Sequence, residues 1–219
     1  MTAAPLRVLL VDDHATVRHG LRLLIDSQPD MEVVGEAADG AEATKQTMAL
    51  APDVVVMDIS MPGVNGLAAT RTLAELPRRP HVVALTRYGD HAYLQEVLRA
   101  GASGYVLKQS ASTELLQAIR AIAGGGHYLD SALTSRVTDL FLDREGRKST
   151  QRRAAITDRE AEVLRLIAWG HSNKEIAAQL DLSVKTIEVH KANAMRKLGF
   201  GGRIDIVRYA ILQGWLQDG

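Results

Sequence analysis

Apolar residues in the first half of the chain fall into short, unbroken runs: Val8-Leu9-Leu10-Val11, Val33-Val34, Val54-Val55-Val56-Met57, Val82-Val83-Ala84-Leu85 and Tyr105-Val106-Leu107. Runs of this length, β-branched and not alternating with polar residues, mark strands covered on both faces. Between them the spacing changes to that of helices, as in Val17, Leu21, Leu24 and Ile25, or Leu115, Leu116, Ile119 and Ile122, which place apolar side chains on one helical face. A strand followed by a helix, repeated five times, predicts an α/β fold. Short connections and right-handed crossovers require an open, doubly wound, five-stranded parallel sheet with helices on both sides.

Gly124-Gly125-Gly126 ends the fifth helix. One more helix is expected over Ala132–Asp143, then a polar, basic linker over Arg144–Arg153. Beyond it the apolar period is that of helices throughout. Thr157-Asp158-Arg159-Glu160 matches a capping box, in which the Thr hydroxyl and the Glu carboxylate satisfy free backbone N–H groups. Four helices are predicted, near Asp158–Trp169, Asn173–Leu180, Val184–Leu198 and Arg203–Leu216. The organisation is thus an α/β domain over residues 6–124, a helix and linker over 125–153, and an all-α four-helix domain over 154–217, without internal repeats or low-complexity segments.

Composition narrows the chemistry. The absence of cysteine removes disulfides, thiolate catalysis and cysteine-ligated metal sites. No apolar segment approaches the roughly 20 residues that cross a bilayer and no leader pattern opens the chain, so a cytoplasmic protein without membrane contact is expected. The net charge of zero hides an asymmetry: from Gln151 onward there are 11 Lys and Arg against 8 Asp and Glu, and the remainder of the chain carries the compensating acidic excess. That sign suits a C-terminal domain facing nucleic acid, although mixed-charge surfaces also differ by this much. The seven histidines form no i, i+4 pair or short cluster and read as ordinary polar residues; Trp169 and Trp215 read as core.

In doubly wound sheets, ligands sit at the C-terminal ends of the strands. Those ends carry Asp12 and Asp13 after the first strand, Asp58 after the third, Thr86 after the fourth and Lys108 after the fifth. Three converging carboxylates repel unless a cation joins them, and oxygen ligands with retained water suit Mg²⁺. A carboxylate attacks a phosphoryl group when the repulsion between the two anions is offset, and Mg²⁺ with a lysine supplies that offset, which makes Asp58 the candidate nucleophile. Taken singly, each residue reads as a cap, turn or surface group; their joint order on one rim carries the argument.

The segments Val11-Asp12-Asp13-His14, Met57-Asp58-Ile59-Ser60-Met61-Pro62-Gly63, Leu85-Thr86 and Gly104-Tyr105-Val106-Leu107-Lys108 resemble the receiver domains of two-component response regulators, which have a flavodoxin-like fold. The resemblance implies that Asp58 is the phosphoacceptor, served by a sensor histidine kinase. It further implies that Asp12, Asp13, Asp58 and the Ser60 carbonyl hold Mg²⁺ and that Lys108 pairs with the phosphoryl oxygens. Thr86 and Tyr105 would form a switch pair, in which the Thr86 hydroxyl is drawn to the phosphoryl group and vacates space for the Tyr105 ring; an immobile buried tyrosine is the competing reading.

The last domain contains two successive helices joined by Asp181-Leu182-Ser183, with Ser183 as N-cap. Val184, Ile187, Ala194, Met195 and Leu198 form the apolar face of the second, leaving Lys185, Glu188, Val189, Ala192 and Arg196 opposite. Periodicity alone fits any helix pair. However, Thr157 to Leu164, Ser172-Asn173-Lys174-Glu175-Ile176-Ala177 and Ser183 to Lys191 resemble the LuxR-type helix-turn-helix of NarL/FixJ-class regulators. The resemblance implies double-stranded DNA as partner and a homodimer upon it. Lys185, Thr186, His190, Lys191 and Asn193 would lie near phosphates, with Glu188, Val189 and Ala192 over base edges. Family members can carry basic residues where Glu188 and Ala192 stand, and Glu188 is equally read as an ordinary helix residue or as an acceptor for cytosine N4. Ile204, Val207, Ile211 and Trp215 are expected in the core of the last helix.

The function expected is a transcriptional regulator switched by phosphorylation, catalysing nothing beyond its own phosphorylation and dephosphorylation. The alternatives are a phosphorylation-independent regulator whose receiver binds partners or dimerises, and a phosphotransfer enzyme whose C-terminal helices are only an interaction domain. The short linker adds the expectation that the unphosphorylated receiver covers the Val184–Leu198 helix.

Overall fold

In the computed structural model the chain divides into two compact units, Met1–Leu142 and Asp143–Gly219. Residues 4–133, except Tyr88 and Asp90, and residues 156–216 are described. Among these residues no helix is long and apolar enough to cross a membrane.

The first unit follows the order β1 (Leu6–Val11), α1 (Ala15–Asp26), β2 (Met31–Ala37), α2 (Gly40–Leu50), β3 (Val54–Asp58), α3 (Gly66–Ala74), β4 (His81–Thr86), α4 (His91–Arg99), β5 (Gly104–Leu107), a 3₁₀ turn (Lys108–Ser110), α5 (Ala111–Ala123) and β6 (Tyr128–Leu129). The strands form one parallel sheet in the order β2-β1-β3-β4-β5-β6. Every residue of β3 is buried, whereas β2 on the edge is mostly half-buried. Helices α1 and α5 share one core with the sheet, in which Leu21 and Ile25 meet Val8 and Leu10, and Ile119 and Ile122 lie with Val83 and Val106.

The sheet has six strands where five were expected. After the Gly124–Gly126 turn the chain runs beside β5, pairing Tyr128 with Gly104 and Leu129 with Tyr105. Two residues are too few to produce a strand signal in sequence; the neighbouring strand creates this one. Residues 131–133 open a helical turn. The rest of the helix expected over Ala132–Asp143 and the linker Arg144–Arg153 lie outside the described residues.

The second unit contains α6 (Asp158–Ala168), α7 (Asn173–Gln179), α8 (Val184–Leu198) and α9 (Arg203–Leu212). The Thr157–Glu160 capping box is present, a second joins Ser172 to Glu175, and Ser183 caps α8 by accepting from the Thr186 N–H. Between α7 and α8 the chain turns through Asp181 at φ 52°, a left-handed conformation that Asp tolerates better than most residues. Ile176, Ile187, Ala194 and Ile206 meet Val163, Leu164 and Ile167 in the core.

Three expectations for this unit fail. Ile204 and Ile211 are exposed and Val207 half-buried, whereas Trp215, half-buried, does pack against the core as expected; α9 turns Ile206, Tyr209, Ala210 and Leu212 inward. This helix is apolar nearly all round, so periodicity does not choose its face. The choice falls to Tyr209, whose ring packs edge-on between Phe200 and Trp215 at 5.4 and 5.5 Å. Trp169 is 46% exposed, sitting past the end of α6 with its indole N–H donating to the Trp215 carbonyl. Val184, in the first turn of α8, is exposed rather than apolar core.

Candidate functional site

Strands β1, β3 and β5 end on the same edge of the sheet, β5 separated from β3 by β4, and their ends bring Asp12, Asp58 and Lys108 together. Both carboxylates are only 1% exposed. The Lys108 ammonium donates to Asp12 Oδ2 and Asp58 Oδ2 at 2.6 Å each. Asp58 Oδ1 accepts from the Ser60 N–H at 3.0 Å, and Asp12 Oδ1 from the His14 N–H at 2.9 Å. Burial pushes the Asp58 carboxyl above its ordinary value; the Lys108 hydrogen bond and charge and the Ser60 N–H oppose this, and the Asp12 charge adds to it. Two buried carboxylates thus share one lysine.

Asp13 completes the acidic set. One ligand atom from each of Asp12, Asp13, His14 and Asp58 lies within 4.8 Å of the others. Asp13 Oδ1 is buried and accepts no hydrogen bond, although His14 Nδ1 lies 2.8 Å from it. Three hard oxygen donors, one of them lacking a hydrogen bond, fit a divalent cation such as Mg²⁺. Thr86, buried, ends β4 one residue beyond Leu85, the ladder partner of Asp58. Tyr105 is fully buried within β5. The expected rim residues are thus brought to one edge, with Thr86 and Lys108 on neighbouring strands.

Sequence reasoning passed over three residues here. His14, an ordinary polar residue by its spacing, directly follows the acidic pair and lies with it. Gly66 begins α3 where a Cβ would lie 1.9 Å from the Asp58 carbonyl oxygen, so only glycine lets the helix approach so closely. Asp130, fully buried, accepts a hydrogen bond from the Leu107 N–H. A lone Gly at a helix start or a lone Asp after a two-residue strand carries no spacing signal that marks either.

In the second unit, Lys185, Glu188, Val189, Ala192 and Arg196 line an exposed face of α8, with Thr186, His190, Lys191 and Asn193 half-buried beside it. The Thr186 hydroxyl lies 2.8 Å from that of Ser183, and Asn193 Oδ1 accepts from Arg196 at 3.0 Å. At the far end Lys197 bonds the buried Glu160 at 2.6 Å, fastening α8 to the start of α6.

Comparison with known proteins agrees with both halves. Residues 8–120 match the response regulator receiver domain, and residues 154–210 match the bacterial regulatory proteins of the luxR family. The oxygen regulatory protein NreC of Staphylococcus aureus (strain JH9) is 41% identical over 216 residues, spanning 97% of this chain and all of that protein. The structure of RcsB from Salmonella enterica serovar Typhimurium bound to promoter P1flhDC with the phosphomimetic BeF₃⁻ superposes with a TM-score of 0.77 at 30% identity, covering 95% of this chain and 98% of that one. A structure of two RcsB dimers bound to two parallel DNAs gives a TM-score of 0.73 at 30% identity, covering 94% and 97%. Since both family matches fall in one chain and the likeness to NreC and RcsB runs nearly end to end, this protein belongs to the NarL-family two-component response regulators, in which phosphorylation of a receiver domain controls transcription through a LuxR-type helix-turn-helix.

Proposed function

We propose that Asp58 is the phosphoacceptor, that a sensor histidine kinase is the donor, and that phosphorylation changes how the α8 surface engages DNA. One observation carries this: a buried carboxylate at a strand end, held 2.6 Å from a lysine it shares with a second carboxylate. An Asp58 carboxylate oxygen attacks the phosphorus and the bond to the donor's nitrogen breaks, its electron pair leaving with the imidazole. Asp12, Asp13, Asp58 and the Ser60 carbonyl would hold Mg²⁺, which when bound neutralises charge on the attacking carboxylate and the incoming phosphoryl group. Lys108 gives up its bond to Asp58 and takes a phosphoryl oxygen. The Thr86 hydroxyl donates to another, and Tyr105 moves with it as the switch partner. The protein's own chemistry ends with making and hydrolysing this acyl phosphate.

The receiver spans residues 6–124 and the DNA-binding domain 154–217. Lys185, Thr186, His190, Lys191 and Asn193 contact phosphates, while Glu188, Val189 and Ala192 face base edges of double-stranded DNA. Homodimerisation on DNA follows the RcsB dimers on DNA and fits the exposed Ile204 and Ile211 of α9. A cytoplasmic location accords with the likeness to NreC.

The test is intact mass of wild type and Asp58→Ala after incubation with acetyl phosphate, with and without Mg²⁺, followed by DNA binding of each product. A Mg²⁺-dependent adduct confined to wild type, with altered DNA affinity, is expected. No adduct and unchanged binding would make this a phosphorylation-independent regulator. Equal affinity in both states would also remove masking of α8 by the receiver.

A further inference from the structure

We propose that Asp130 is a positioning residue for Lys108, its carboxylate tying the end of β5 to the segment by which the chain leaves the receiver. The proposal rests on the assignment of Lys108 to the phosphoryl group. Strand β6 contributes two ladder residues, Tyr128 and Leu129, after which the Asp130 N–H donates to the Tyr105 carbonyl at 2.9 Å. The backbone then turns away into the helical turn at 131–133. The next N–H of β5 on that side belongs to Leu107, and it donates to Asp130 Oδ2 at 2.9 Å. A side chain thereby continues the ladder where the backbone has departed.

Leu107 is the last residue of β5 and directly precedes Lys108, which opens the 3₁₀ turn. On its other side Leu107 is the ladder partner of Thr86. The peptide that carries Lys108 is therefore held between the Thr86 strand and the Asp130 carboxylate. The second oxygen of that carboxylate, Oδ1, accepts from the Ala132 N–H at 2.9 Å, capping the outgoing turn. Glu114 on α5 fastens the same segment from outside, accepting from the Ser131 hydroxyl at 2.7 Å and from the Tyr128 hydroxyl.

The chemistry calls for a carboxylate. Two N–H donors from different segments meet two separate oxygens, and Asp130 is 0% exposed, so water cannot replace either bond. Asparagine offers one acceptor and turns an amide donor against the other N–H. When Lys108 shifts from Asp58 to a phosphoryl oxygen, displacement of its backbone reaches Leu107 through the peptide they share, then Asp130 and Ala132 by one hydrogen bond each.

The experiment uses the full chain carrying Asp130→Asn, alone and combined with Lys108→Ala, phosphorylated by acetyl phosphate with Mg²⁺ and followed by intact mass. Asp130→Asn is expected to slow phosphorylation roughly 10-fold, within the range that misplacing a catalytic group by about 1 Å allows. In the Lys108→Ala background it should add nothing. An equal further loss in that background, or no loss in the single variant, overturns the proposal. If Lys108→Ala itself reacts at the wild-type rate, the role of Lys108 falls and takes that of Asp130 with it, an outcome distinct from a silent Asp130→Asn beside an impaired Lys108→Ala. The second readout is the Ala132 amide in ¹H–¹⁵N spectra, which beryllofluoride with Mg²⁺ should shift in wild type and not in Asp130→Asn. An Ala132 amide unmoved in wild type refutes the coupling. Should Asp130→Asn unfold, as circular dichroism would show, Asp130→Ser carries the same comparison, its hydroxyl keeping an acceptor for the Ala132 N–H and leaving none for the Leu107 N–H.

Discussion

Replacing Gly66 by alanine puts a methyl group 1.9 Å from the Asp58 carbonyl oxygen and 2.8 Å from both the Asp58 carbonyl carbon and the Ile59 Cα. Real Cβ atoms do not approach closer than 3.0 Å, so the start of α3 or the end of β3 must retreat by about 1 Å. The obstacle is backbone, and no rotamer change relieves it. Overpacking of this kind costs about 3 kcal/mol, and the better helix propensity of alanine returns somewhat less than 1 kcal/mol. The net loss is then about 2 kcal/mol, or roughly a 30-fold fall in the ratio of folded to unfolded receiver. Because the displaced peptide belongs to Asp58 itself, phosphorylation by acetyl phosphate should fall by 10-fold or more in protein that remains folded. Urea unfolding followed by circular dichroism gives the first quantity and intact mass the second. Gly63→Ala is the control: its φ of 69° strains alanine, but nothing lies within 4 Å of the new Cβ, so stability should drop by about 1 kcal/mol with Asp58 undisturbed. Gly66→Ala with wild-type stability and phosphorylation would refute the close-approach argument.

Other outcomes follow from the same structure. Gly20 lies within α1 with open space around its Cβ position, so Gly20→Ala should stabilise the receiver by about 0.5–1 kcal/mol in urea unfolding. Burial raises the Glu160 carboxyl, but the Lys197 ammonium and the Thr157 N–H outweigh it and hold the group below its ordinary value. The stability this gives is present above the unfolded value of about 4.3 and lost as pH falls through the lower folded value. Lys197→Met, which deletes the charged hydrogen bond to Glu160, should remove about 2 kcal/mol at pH 7. Both tryptophans lie in the second unit, so their fluorescence reports its unfolding alone. Lys185→Ala or Lys191→Ala should weaken binding across all DNA sequences and reduce the slope of log affinity against log salt by about 1.8 for a dimer, against about 0.9 for a single copy.

Patterning along the chain was sufficient for the layout: buried runs of period-free apolar residues for a two-sided parallel sheet, helical spacing for the all-α second unit, and polar residues at the ends of those runs for Asp12, Asp13, Asp58, Thr86 and Lys108. These properties are local, because a strand's burial and a cap's hydroxyl are written within a few residues of where they act. Tertiary structure alone decided the rest. The sixth strand exists because β5 offers an edge, and its two residues have no period of their own. Helix α9 is apolar on most sides, so the Tyr209 ring between Phe200 and Trp215 chose its inner face and left Ile204 and Ile211 outside. Gly66 and Asp130 gain their meaning from what lies across the fold, a carbonyl 1.9 Å from an absent methyl and an amide 23 residues earlier in the chain. Contacts between distant segments leave no periodic mark in either one, because each depends on a partner that only folding brings near.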